Sequence, residues 1–108
     1  MKDGGANGAS GPMEMVLIAL AGCTAMDVVS MMQKKQAEMT RLEIIVDAER
    51  ADDFPRIFTK IHLTYIIHGK VRKADAEHAV SLSQEKYCSV AGMLKKAAEI
   101  TYDIQLND

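Results

Sequence analysis

Cys23 and Cys88 are the residues with the widest chemical range in this chain of 108 residues. A thiolate is a nucleophile, a soft metal ligand and one half of a disulfide, so two thiols invite redox chemistry. The two lie too far apart in sequence to form a CxxC pair, and no further Cys exists to build a four-Cys zinc ribbon. His62, His68 and His78 do not supply the missing ligands. His62 and His68 fall on one face of a predicted strand, too far apart to share an ion, and each reads better as a solvated or hydrogen-bonded side chain. No metal site and no cofactor is expected. Buried cysteine also has a plainer use, as a small hydrophobe in a core.

The stretch ending Leu20-Ala21-Gly22-Cys23 mimics the box at which a bacterial lipoprotein is cut and lipidated. Its flanks argue otherwise. A secretory leader opens on a short basic segment, whereas this chain opens with Lys2, Asp3 and a glycine-rich tract, and Glu14 stands at the mouth of the apolar run. Past Cys23 the helical pattern continues through Thr24-Ala25-Met26-Asp27-Val28-Val29, and the run before Asp27 is short for a bilayer span, which needs roughly 20 residues. The expectation is a cytoplasmic protein with no membrane partner, in a compartment where thiols stay reduced unless they work.

The balance of residues narrows the classes further. Hydrophobic residues make up 48% and charged residues 26%, with net charge −2, which suits one globular domain and no disordered or fibrous class. No run of Lys or Arg exceeds two, and there are no Trp, two Phe and three Tyr, so neither a phosphate-binding face nor a base-stacking platform is at hand. A nucleic-acid partner is not expected.

The elements that must hold the cysteines follow from periodicity. Residues 1–11 read as a flexible glycine-rich segment and 12–108 as a single domain. Pro12 suits the first turn of a helix running from Met13 to about Gln36, with Glu14 favourable near its positive end and Lys34 and Lys35 at its exit. Between Met15 and Met26 this helix carries no charge on any face, so protein must surround it, and a partner subunit is expected to supply part of the cover. Met15, Met26, Met31 and Met32 read as core and dimer packing. Leu42, Ile44, Val46 and Ala48 alternate with polar residues as a strand, and Asp52-Asp53-Phe54-Pro55 turns the chain. Ile57, Thr59, Ile61, Leu63, Tyr65 and Ile67 form the inner face of a second, antiparallel strand that Gly69 ends. A second helix spans about Ala74 to Tyr87, with Ala76, Ala79, Val80 and Ser83 inward; the pattern hesitates at Cys88-Ser89 and resumes to Ala98. Ile100, Tyr102, Ile104 and Leu106 alternate as a last strand. The order helix, strand, strand, helix, strand is an α+β arrangement.

With those elements in place, the segment from Gly11-Pro12-Met13-Glu14 through Ala21-Gly22-Cys23-Thr24-Ala25-Met26-Asp27-Val28-Val29 resembles the cysteine helix of the OsmC/Ohr family, the osmotically inducible and organic hydroperoxide resistance proteins. Ser83-Gln84-Glu85-Lys86-Tyr87-Cys88-Ser89-Val90 resembles the second cysteine motif, and Phe54-Pro55-Arg56-Ile57-Phe58-Thr59-Lys60 resembles the OsmC-like branch. The resemblance implies an intertwined homodimer in which a central cysteine-bearing helix and a second helix pack on a small antiparallel sheet. It implies a thiol-dependent peroxidase, in which Cys23 attacks an organic hydroperoxide and Cys88 resolves the sulfenic acid as a disulfide that an external dithiol then reduces. Glu14 is the candidate supporting acid. The family's supporting Arg comes from an N-terminal hairpin that this chain is expected to lack; Arg56 is a substitute to consider. The alternative is a non-catalytic redox-sensing or binding module of the same fold.

Overall fold

The structure is a computed structural model and describes residues 11–107. Apart from Gly11, the glycine-rich segment lies outside the described residues. Helix α1 spans Pro12–Lys34. Pro12 takes the first helical position, where its missing N–H costs nothing, and Gly11 before it is extended. The Glu14 carboxylate accepts from the Gly11 N–H at 3.2 Å, closing the first turn. Leu17, Leu20, Thr24, Val28 and Met32, three or four residues apart, form the buried stripe. Burying Leu20, Val28 and Met32 contributes about 1.5–3 kcal/mol each. The helix stops where Gln36 turns into the left-handed region at φ 56°. By length and composition alone α1 could cross a membrane; in this fold its stripe packs against the sheet and the other helices.

Strands β1 (Glu38–Arg50) and β2 (Phe58–Lys70) pair antiparallel, with Val46 opposite Leu63 and Ile44 opposite Tyr65. The predicted alternation of β2 fails at its start. Glu49 faces Lys60 and Arg50 faces Phe58, so Thr59 is an extra residue in the strand, and this bulge turns Phe58 inward. Phe58 is buried while Ile57 and Thr59, expected inside, are exposed. Nor does Gly69 end the strand. It continues to Lys70 with Gly69 at φ 115°, where a Cβ would lie 2.1 Å from the Glu38 carbonyl oxygen.

Strand β3 (Glu99–Asn107) runs parallel to β2, with Leu63 beside Tyr102 and Tyr65 beside Ile104. The three-stranded sheet, ordered β1-β2-β3, is therefore mixed where the sequence suggests an antiparallel one. The cause is the crossover: a parallel neighbour requires a long connection, and helical segments provide it while covering one face. That connection is α2 (Lys73–Leu82), a wide π-helical turn over Ser83–Tyr87, and α3 (Ser89–Leu94). Ala76, Ala79 and Val80 bury the inner face of α2. Beyond Leu82 the single predicted helix widens into the π turn, closed by the Cys88 N–H donating to the Ser83 carbonyl at 2.7 Å. Cys88 itself is extended and caps α3.

A paired-thiol candidate active site

Cys23 and Asp27 are one turn apart on α1, so both project from the same face. The π turn delivers Cys88 to that face. The Cys23 sulfur, the Cys88 sulfur and an Asp27 carboxylate oxygen all lie within 4.8 Å of one another. Both cysteines are free thiols; Cys23 is half-buried and Cys88 is 4% exposed. Burial is the main reason the Cys88 thiol is pushed up to about 11. The Ala91 N–H, donating to its sulfur at 3.4 Å, opposes that shift, while Cys23 and the Asp27 charge add to it. Cys88 is therefore a protonated thiol at neutral pH.

Behind the thiols runs a buried polar chain with a defined direction. The Ser83 hydroxyl donates to the Asp27 carboxylate at 2.8 Å, and a hydroxyl has a single proton. The 2.7 Å bond between Ser83 and Thr24 must then be donated by Thr24. By the same step Tyr65 donates across 2.8 Å to Thr24, and the Gln84 side-chain amide donates to the Tyr65 oxygen at 2.6 Å. Burial pushes the Tyr65 phenol up to about 12, which keeps the proton it must donate. The order Gln84, Tyr65, Thr24, Ser83, Asp27 ends on the one group that only accepts. The Lys95 ammonium anchors the far end by donating to the Gln84 backbone carbonyl. This chain fixes the face of α1 that carries Cys23 against the turn that carries Cys88.

Glu14 is not brought to this cluster. It caps the N-terminus of α1, nine residues and about 13 Å along the axis from Cys23 at about 1.5 Å per residue. Arg56 lies in the β1–β2 turn at φ 48°, its carbonyl taken by Arg50. Cysteine and histidine spacing in the sequence points to no metal site; folding nevertheless gathers Cys23, Asp27 and Cys88, three ligands of two types, in one place. Thr24, Asp27, Tyr65, Ser83 and Gln84 join the site only through folding. One sign was available: Thr24 interrupts an apolar stripe at i+4 from Leu20 and i−4 from Val28, and a polar group at a core position needs a partner.

A groove of about 490 Å³ opens beside the cluster and shares Asp27 with it. Met31, Leu82 and Tyr87 give it an apolar side, Lys34 and Lys35 a cationic one, and His78 a polar edge.

Comparison with known proteins gives this geometry a context. The chain is 46% identical over 99 residues to protein YhfA of Escherichia coli K12, covering 91% of this chain and 74% of that protein. The crystal structure of a hypothetical protein from Aquifex aeolicus superposes with a TM-score of 0.84 at 32% identity, covering 93% of this chain and 77% of that one. A protein named as an organic hydroperoxide resistance protein, from Legionella pneumophila, shares the fold with a TM-score of 0.73 at 14% identity, over 91% of this chain and 71% of that one. The family profile described as OsmC-like protein matches residues 4–103, nearly the whole length. A cysteine helix and a cysteine-bearing turn, joined across a small mixed sheet, thus place this chain in the OsmC-like protein family.

Proposed function

We propose that the chain is a thiol-dependent peroxidase that reduces organic hydroperoxides with the Cys23 and Cys88 thiols. The observation that carries this reading is the approach of two free sulfurs to within 4.8 Å, one of them half-buried and the other nearly sealed. The more accessible Cys23 attacks as the thiolate. Its sulfur bonds to the terminal peroxide oxygen, the O–O bond breaks, and the alkoxide leaves with a proton as an alcohol. The Cys23 sulfenic acid then meets Cys88, whose sulfur displaces the hydroxyl as water and closes the disulfide. An external dithiol exchanges with that disulfide and returns both thiols. No cofactor enters the cycle. The high pKa of Cys88 fits the later role, since a resolving thiol must wait protonated during the first step. The apolar side of the adjoining groove suits an alkyl chain, and proteins of the same fold carry the name of organic hydroperoxide resistance proteins.

The reading includes a homodimer in the cytoplasm. Met15, Ile18, Met26 and Val29 of α1 are 58%, 47%, 75% and 37% exposed in one chain, an apolar face that a partner subunit would cover. The second reading, a redox-sensing or binding module without turnover, is favoured by one observation. No Lys or Arg is among the groups that shift Cys88: Lys86, two residues before it, lies over the Tyr87 ring, and Lys95 is spent on the Gln84 carbonyl. Steady-state consumption of an alkyl hydroperoxide, with a panel of dithiol reductants, separates the two. Turnover that Cys23→Ser abolishes supports the peroxidase; a single oxidation per chain with no turnover under any dithiol supports the sensor.

A further inference from the structure

Three ligand atoms of two chemical kinds converge at the thiol pair, and their arrangement has a use that needs no peroxide. Two sulfurs and a carboxylate oxygen lie within 4.8 Å of one another. Around a tetrahedral ion with metal–sulfur bonds of about 2.3 Å, two sulfurs sit about 3.8 Å apart, so closing on a metal takes a movement of about 1 Å or less. The side chains are already oriented. Asp27 is held by the Ser83 hydroxyl at 2.8 Å, Ser83 by buried Thr24 at 2.7 Å, and the Cys88 sulfur receives the Ala91 N–H at 3.4 Å. Hydrogen bonds of this type to ligand atoms fix their orientation and tune their affinity. Among the described residues Asp27 forms no salt bridge, so its charge is not already committed to a cation.

We infer that the reduced protein binds one soft divalent cation of the zinc class through the Cys23 and Cys88 sulfurs and the Asp27 carboxylate. Two thiolates select against calcium and magnesium, which take oxygen ligands, and favour zinc or a similar ion. Three protein ligands leave a fourth position for water or another small ligand. On binding, two thiols give up two protons and the ion replaces them. Metal and disulfide exclude each other, because the same two sulfurs cannot hold both. When a hydroperoxide oxidises the loaded pair, the sulfurs lose two electrons to the O–O bond, two protons are taken up, and a disulfide, an alcohol, a water and the free ion result. The bound state is thus a reduced, protected form of the thiols, discharged by oxidation.

The test uses the full chain, reduced and metal-free, with Zn2+ and Co2+ as the probes and no peroxide present, so that it succeeds or fails independently of turnover. The inference predicts saturation at one Zn2+ per chain and thiolate-to-cobalt charge-transfer bands in the Co2+ form. Asp27→Asn, which keeps an oxygen to accept from Ser83, weakens Zn2+ binding about tenfold or more while the thiolate bands remain. Cys23→Ser, at a half-exposed position that leaves the core intact, loses part of the charge-transfer intensity. The disulfide form binds no ion at this site. Failure to saturate at one per chain, a Co2+ form without thiolate bands, or equal affinity in the Asp27→Asn or disulfide forms would overturn it.

Discussion

Two groups of hydrogen-bonded titratable side chains lie on opposite faces of the β-sheet, and bond lengths alone do not tell them apart. On the outer face His62 spans Thr101 at 2.7 Å and Asp103 at 3.0 Å, and His68 meets Glu43 at 2.8 Å. On the inner face Thr24, Ser83, Tyr65 and Asp27 meet at 2.7–2.8 Å. The outer pairs are wet: the His62 and Asp103 side chains are 42% and 52% exposed, so water replaces whatever a substitution removes. Thr24 and Ser83 are fully buried, and each has spent its only proton on the next oxygen. Removing one member there strands its neighbours where no water can reach, and that asymmetry gives the inner chain its weight. The cysteines sit on the inner side. The fold thus holds its thiols against a polar assembly that tolerates little change, and leaves its histidines on a face that tolerates much.

The largest expected effect comes from the middle of the inner chain. Thr24→Val keeps the shape of the side chain but leaves the Tyr65 donor and the Ser83 oxygen unpaired, at a cost of about 2–4 kcal/mol by denaturant titration. Tyr65→Phe removes an interior member, with a smaller loss of about 1–3 kcal/mol, because the Gln84 amide keeps a weaker contact with Thr24 at 3.5 Å. Values below 0.5 kcal/mol for both would mean that the directed chain carries no stability.

The two faces also separate by pH. Tyr65 and Cys88 have folded pKa values raised to about 12 and about 11, from ordinary values of 10.0 and 9.0. The folded state therefore holds their protons more tightly than the unfolded state. Their contribution is fully present below pH 9 and is lost as pH rises from about 9 to about 12. Thermal melts across that window should show a falling midpoint, and Tyr65→Phe should flatten the upper part of the fall. A midpoint constant from pH 9 to 12 would contradict this. Asp103 and Glu43 shift the other way, lowered chiefly by their hydrogen bonds to His62 and His68. Their contribution is present above the ordinary carboxylate range and fades as pH falls through the lowered values, and solvent screening keeps it small. The smallest effect follows: Asp103→Asn should leave the denaturation midpoint at neutral pH nearly unchanged. A loss comparable to that of Thr24→Val would erase the distinction between the faces.

What could be read before folding follows the same division. The α1 stripe and the β1–β2 pairing were legible because period and burial coincide over many residues, as at Leu17, Leu20 and Val28. The inward turn of Phe58 was not, because one extra residue at Thr59 inverts an alternation without altering composition. Parallel pairing of β3 depends on how the crossover lies, which its alternating residues do not encode. The two cysteines were marked by their type and by their family motifs. Their approach depends on a π turn that reads in sequence only as a faltering helix near Cys88. In sequence Asp27 marks only the end of an apolar run, whereas its place in the site comes from Ser83, which is distant in the chain.

The central claim is that Cys23 and Cys88 act as one redox pair, with Cys23 first. It is tested most directly by treating the reduced protein with one equivalent of an alkyl hydroperoxide and mapping the cysteine peptides in the presence of a dimedone-type trap. The account predicts an intramolecular Cys23–Cys88 disulfide in the unchanged chain, and in Cys88→Ser a trapped sulfenic acid on Cys23. Free thiols at both positions after treatment, or a sulfenic acid trapped on Cys88 in Cys23→Ser, would contradict it.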